Sequence, residues 1–209
     1  MRSVMSDSWI FSLGLASVFV LAAVIGRRLG PEYQSRLAPS IQTVAAVWAF
    51  YAVHFALVVL AAVESTWHFS LPTPLAVSTG VVLAAVGGAV YLSAAYAFWS
   101  VRRMSGLDRT RLVTEGIYRW SRNPQLLGWT LVLVGLGLVR GSAMVLLLAL
   151  VSWLSYRVYL PLEEKLLRRL FGEAYETYRH RTHRHFGRPR RAVETPPNKG
   201  MQPTAFGGR

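Results

Sequence analysis

The chain has 209 residues, 53% of them hydrophobic, a formal net charge of +13 and no cysteine. The lack of cysteine excludes disulfides, thiolate metal sites and cysteine nucleophiles. The basic balance does not point to nucleic acid, because the arginines lie between and after long apolar blocks, the placement found in the cytoplasmic loops of membrane proteins.

The first apolar block runs from about Trp9 to Ile25 and ends at Arg27 and Arg28. A signal peptide carries its positive charge before the apolar run. Here Arg2 is opposed by Asp7 and the cationic pair follows the block, which is the flank of a retained helix. The second block runs from about Ile41 to Val63 and contains His54; the third runs from about Leu75 to Trp99. Each exceeds the roughly 18 apolar residues needed to cross the hydrocarbon core. The connection Glu64–Pro74 has no Lys or Arg, and Pro72 and Pro74 disfavour helix within it.

A polar segment follows, Val101–Asn123, with six arginines: Arg102, Arg103, Arg109, Arg111, Arg119 and Arg122. The fourth block begins after Pro124 and ends near Val139, and Arg140-Gly141 makes a tight turn. The fifth runs from about Ser142 to Leu160. Blocks four and five read as a helical hairpin that enters and leaves on one side. Pro161 suits the first turn of a new helix. From Leu162 to about His183 the sequence is amphipathic, with Leu162, Leu166, Leu167, Leu170, Phe171, Tyr175 and Tyr178 at helical spacing.

The sequence therefore predicts an all-α polytopic membrane bundle of about five transmembrane helices with a C-terminal amphipathic helix on the cytoplasmic face. The membrane domain spans 1–186, its chemistry-bearing part 102–184, and a disordered basic tail occupies 187–209. Placing Arg27, Arg28 and Arg36 in the cytoplasm puts the N-terminus outside and the C-terminus inside, and gathers every basic cluster on one face. A reporter at Thr66 found in the cytoplasm would overturn this topology.

Two polar segments adjoin the apolar spans. The first reads Leu112-Val113-Thr114-Glu115-Gly116-Ile117-Tyr118-Arg119-Trp120-Ser121-Arg122-Asn123-Pro124-Gln125-Leu126-Leu127-Gly128. The second contains Glu163-Glu164, then Phe171-Gly172, then Tyr175 and Tyr178. They resemble the paired motifs GxYxxxR(H/N)PxYxG and EExxLxxxFGxxYxxY of the isoprenylcysteine carboxyl methyltransferase and phospholipid N-methyltransferase superfamily. The order and the intervening membrane hairpin also match, over about Arg102 to Arg184.

The resemblance implies an S-adenosylmethionine-dependent methyltransferase with a lipid-like or prenylated acceptor entering from the bilayer. The expected acceptor is the carboxyl of an isoprenylcysteine-type compound; a phospholipid amine is the alternative. By the same resemblance Thr110, Arg111, Leu112, Val113, Tyr118, Asn123, Pro124, Gln125 and Leu126 line the cofactor pocket. Gly128 permits close approach of helix and cofactor. Arg122, Glu163 and Glu164 carry the catalytic assignment, with Glu164 the key acid, and Tyr175, Tyr178 and Arg184 close over the pocket. The chemistry agrees: a carboxylate offsets the sulfonium and amino charges, and arginines hold the cofactor carboxylate in a forked geometry. Aromatic faces suit the adenine or the sulfonium. Methyl transfer proceeds in line and requires no covalent intermediate on the protein. Asn123 stands where eukaryotic members carry histidine, a version familiar among bacterial relatives, which suggests a bacterial inner membrane. Leu126 stands where tyrosine is usual.

Other features read more plainly. His54 inside a membrane block is expected to make a structural hydrogen bond. His180, His183 and His185 lie in an arginine-rich stretch without nearby carboxylates, so no metal is expected. Gly135, Gly137 and Gly141 follow no strand, so they suit helix packing rather than a dinucleotide fingerprint. Competing functional readings are an NADPH-dependent sterol-reductase-like enzyme, which has a related membrane fold, and a non-enzymatic membrane accessory protein.

Overall fold

The computed structural model describes residues 8–71, 73–98 and 100–190. Among them the chain forms α1 (Ser8–Ser35), α2 (Ile41–Glu64), α3 (Thr73–Tyr96), a short α4 (Val101–Met104), a 3-10 turn (Gly116–Arg119), α5 (Pro124–Arg140) and α6 (Ala143–Arg181). Four of these, α1, α2, α3 and α6, are long and apolar enough to cross a membrane, and α5 is a shorter apolar helix. This is the all-helical membrane bundle that the apolar blocks require. The expected end of the third block at Trp99, and the tail from 191 onward, lie outside the described residues.

Local chemistry sets the helix ends. Ser40 caps α2 by accepting from the Thr43 amide at 3.3 Å. The Glu32 carboxylate, from the preceding helix, takes the Ser40 amide at 2.8 Å, the Ser40 hydroxyl at 2.7 Å and the Thr43 hydroxyl at 2.8 Å. These bonds satisfy donors that a helix start leaves open, and fix the α1–α2 hairpin. Gly141 ends α5 at φ 58, where a side chain would also meet the Phe69 carbonyl at 2.7 Å. Ser142 then caps α6, and its hydroxyl also donates to Thr66 O at 2.9 Å. Arg140 donates to the Ala62 and Val63 carbonyls at 2.6 and 3.1 Å, so the hairpin tip is tied to the end of α2.

The core lies where α1, α2, α5 and α6 meet. Val18, Ile25, Phe50, Leu57, Leu133, Val145 and Leu148 are buried there. Helix α3 stands at the edge and leans almost wholly on α5. A Cβ at Gly80 would meet the Gly135 carbonyl at 2.7 Å, and one at Gly87 would meet the Gly128 carbonyl at 2.7 Å. Backbone therefore touches backbone, as small residues allow in a membrane. The outward side chains of α1 and α3, such as Leu13, Phe19, Val82 and Leu92, are exposed and suit lipid.

Two expectations are corrected. Pro74 lies inside the first turn of α3, where proline costs no helical bond, instead of keeping helix away. Pro161 does not open a new helix: α6 runs through it without interruption. The break falls at Gly172 (φ 50, ψ −123), a conformation open in practice only to glycine.

Candidate functional site

The basic segments meet at one end of the bundle. Arg109 stacks over the Tyr33 ring at 5.3 Å and donates to its hydroxyl at 3.3 Å, Arg169 donates to the Tyr33 and Gln34 carbonyls at 3.0 Å, and Trp48 donates to Ser105 at 3.1 Å. These contacts draw together the ends of α1 and α2, the α3–α5 connection and α6.

At this end lies a buried ion-pair group. Glu164, on α6, is 7% exposed. Its Oε1 is 3.0 Å from Arg122 Nη1, and Arg184 grips both oxygens, Nε to Oε1 at 3.0 Å and Nη2 to Oε2 at 2.6 Å. Arg122 Nη1 also donates to the Tyr175 hydroxyl at 3.3 Å. The Tyr178 hydroxyl donates to the Tyr118 carbonyl at 2.9 Å. The rings of Tyr175 and Tyr178 meet edge-on at 6.3 Å. Burial, then Glu163 and Tyr178, push the Tyr118 phenol well above its usual range, so it stays protonated.

The Gly172 break makes this grouping possible. In a straight helix Glu164 and Tyr175 would stand about 16 Å apart along the axis. Here both touch the same Arg122 nitrogen. The segment after α6 then crosses the site as a strap. The Arg122 amide donates to the His183 carbonyl at 2.9 Å, Asn123 Nδ2 to the Arg184 carbonyl at 2.9 Å, and the Gly187 amide to the Trp120 carbonyl at 3.0 Å. Phe186 stacks on Trp120 at 6.1 Å and His185 lies on Trp153 at 5.0 Å. Burial, then the nearby Arg157, Arg184 and Arg122, hold the His185 imidazole below its usual pKa. The backbone of 187–190, expected as the start of a disordered tail, is thus partly bonded: the Arg190 amide also donates to the Arg181 carbonyl at 2.9 Å.

The structure brings together Tyr118, Arg122, Asn123, Glu164, Tyr175, Tyr178 and Arg184. Pro124 opens α5 beside them, and Gln125 and the buried Leu126 lie in its first turn. Others stand apart from the ion pairs. Glu163 is exposed and takes no part in them. Thr110 turns back on Asp108, 3.0 Å from its hydroxyl, and with Arg103 this holds the Asp108 carboxyl below its usual range. Arg111 pairs with Glu115 at 3.9 Å on the surface, and Leu112 and Val113 are half-buried between them. At Gly128 the missing Cβ admits the backbone of α3, with Tyr91 N at 2.6 Å. Sequence reasoning missed the strap aromatics Trp120, Trp153, His185 and Phe186, and Ser121, whose buried hydroxyl accepts from the Asn123 amide at 3.0 Å. Only the neighbouring Arg184 carried a signal.

Two guanidiniums against one carboxylate leave a surplus positive charge. Arg122 Nε and Gln125 Nε2 are buried donors without a partner. Such groups fit a zwitterionic ligand: the unpaired donors suit its carboxylate, Glu164 its cationic end.

Known proteins resemble this chain over an overlapping span. A family model described as phospholipid methyltransferase matches residues 75–174, from α3 through the Gly172 break. Proteins named probable protein-S-isoprenylcysteine O-methyltransferase from Oryza sativa subsp. indica and subsp. japonica are each 26% identical over 187 residues, covering 85% of this chain and 94% of theirs. A protein-S-isoprenylcysteine O-methyltransferase of Schizosaccharomyces pombe is 36% identical over 69 residues, covering 32% of this chain and 29% of its own. The matched span carries Arg122 and Glu164 of the ion-pair group, and these likenesses support a membrane methyltransferase of the isoprenylcysteine and phospholipid type.

Proposed function

We propose that this chain transfers a methyl group from S-adenosylmethionine to a lipid-borne acceptor at the cytoplasmic face of the membrane. The observation that carries the reading is Glu164, buried and held between Arg122 and Arg184 at the end of the bundle where both motifs meet. When bound, the cofactor supplies the methyl on its sulfonium. Glu164 offsets the cationic end of the ligand, and its near-complete burial strengthens that attraction. Arg122 and Gln125 hold the carboxylate through donors that are otherwise unpaired. Tyr118, Tyr175 and Tyr178 wall the group with aromatic faces. The strap through His183–Gly187 keeps water from the reacting atoms, and positioning supplies much of the rate.

For the acceptor, the names of the rice and yeast relatives support the carboxyl of an isoprenylcysteine-type compound, and the family model supports a phospholipid amine. The arginine asymmetry supports an N-terminus outside and a C-terminus in the cytoplasm, and Arg122-Asn123-Pro124 supports a bacterial inner membrane. The test is transfer of labelled methyl from S-adenosylmethionine into a total membrane lipid extract, with the product identified. Wild type labels a lipid and Glu164→Gln does not. If purified protein binds no labelled S-adenosylmethionine where a known relative does, the proposal fails.

A further inference from the structure

Two aromatic contacts fasten the strap over the ion-pair group, and they differ in exposure. His185 and Trp153 are both half-buried. Phe186 and Trp120 stack with ring planes 16° apart, yet remain 62% and 40% exposed. A contact made for the protein interior alone would bury its rings, as Tyr175 and Tyr178 do. Two large rings left outside the protein are unfavourable in water and favourable in lipid.

The surroundings of Trp120 say which of the two it meets. Trp120 shares an open groove with Leu92, Tyr96 and Ile117. Leu92 and Tyr96 lie one turn apart at the end of α3, are 67% and 64% exposed, and belong to a helix apolar enough to span a membrane as far as Tyr96. The lipid-facing surface of α3 therefore continues across the groove onto Trp120 and, through the stack, onto Phe186. Arg119, Arg188 and Arg190 are exposed and flank these rings in sequence. Glu115, the exposed acid at the start of the same turn, is opposed by Arg111 at 3.9 Å. Rings flanked by cations suit a membrane interface, where the rings sit at headgroup level and the cations meet lipid phosphate.

We propose that the strap docks on the lipid surface of the cytoplasmic leaflet, with Phe186 and Trp120 as its anchor, so that the membrane itself holds the strap closed over Glu164. The strap bonds to one short segment: His183 O, Arg184 O and Gly187 N meet Arg122, Asn123 and Trp120. It also carries Arg184, whose guanidinium grips Glu164. Lifting the strap from 120–123 breaks no helix and removes one of the two cations from Glu164. Opening thus gives a water-soluble ligand its way in and out, and contact of Phe186 with lipid favours the closed form. The inference goes beyond the proposed function and rests on it only for the basic side being the cytoplasmic one.

The test uses the full chain in vesicles of phosphatidylcholine and phosphatidylglycerol. The chain has no cysteine, so Phe186→Cys and Arg188→Cys each take a single nitroxide label. The label at 186 is expected to collide with oxygen, which concentrates in lipid, and to lose its collisions with a nickel chelate, which stays in water. The label at 188 is expected to keep them, and it controls for the label's own attraction to lipid. Equal access of the chelate to both positions overturns the proposal. Hydrogen exchange of residues 182–190 then separates lipid contact from the ring stack. Phe186→Ser is expected to lower protection about ten-fold, the worth of one apolar side chain withdrawn from water. Phe186→Leu keeps the apolar bulk, loses the stack, and is expected to stay near wild type. If Phe186→Leu falls as far as Phe186→Ser, the stack on Trp120 alone holds the strap, and the proposal is overturned. Neither readout involves methyl transfer, so a docked strap in a chain that methylates nothing would keep this inference and reject the methyltransferase reading.

Discussion

Replacing Gly172 with alanine sets two effects of opposite sign against each other. In an ordinary helix interior the change stabilises by up to about 1 kcal/mol, because alanine loses less backbone freedom. At φ 50 and ψ −123 an alanine is strained by about 1–3 kcal/mol. No atom lies within 4 Å of the added Cβ, so the backbone alone decides the outcome. The chain could relieve the strain by straightening, but that would carry Tyr175 about 16 Å along the axis from Glu164. Tyr175 is 1% exposed, and unburying such a ring costs about 2–3 kcal/mol before its bond from Arg122 and the bond of Tyr178 to Tyr118 are counted. The bend therefore holds, and Gly172→Ala is expected to lower stability by about 1–3 kcal/mol while leaving a weakened but measurable site. Thermal unfolding in detergent and binding of labelled S-adenosylmethionine check this together. A variant more stable than wild type would refute the break and the geometry built on it.

Three further outcomes follow from the same structure. Glu164→Gln leaves Arg122 and Arg184 without their shared anion and is expected to cost about 2 kcal/mol of stability, discounted for the half-exposed Arg184, and to abolish cofactor binding by titration calorimetry. His185 has a folded pKa below its ordinary 6.5, so the unfolded strap takes up the proton first. Its contribution is complete above pH 6.5 and is lost as pH falls through that value. The protection factors of amides 183–187, which correct for the intrinsic slowing of exchange in acid, should therefore fall below pH 6.5 in wild type, and His185→Phe should remove that fall. Gly128→Ala would press a methyl onto the α3 backbone at 2.6 Å and is expected to cost about 1–3 kcal/mol by thermal unfolding, without altering the affinity for cofactor measured on the folded fraction.

Much of this was legible in residue order. Uninterrupted apolar length is enough to place α1, α2 and α3, because the bilayer admits few alternatives to a helix. The paired motifs identified Arg122, Glu164, Tyr175, Tyr178 and Arg184 as neighbours before any geometry was known. Tertiary facts were less legible. Pro161 reads as a helix start and Gly172 as ordinary motif spacing, yet the bend sits at Gly172, because buried Tyr175 must reach Arg122. Gly128 reads as a residue that admits a ligand, and only the position of α3 shows that it admits a helix. His54 was expected to make a structural hydrogen bond and has none, and nothing in its flanking residues announces that.

The glycine contact between α3 and α5 has a consequence for biogenesis. Helix α3 leaves the ribosome before its main partner among the described residues exists, since α5 begins at Pro124 and neither α1 nor α2 holds α3 firmly. Newly inserted α3 therefore waits in lipid as an independent span, stable there because its surface is apolar. It joins the bundle only when the α5–α6 hairpin arrives. Defects at Gly80, Gly87, Gly128 or Gly135 should then appear as chains that are fully inserted yet unassembled, a target for membrane quality control rather than for the insertion machinery.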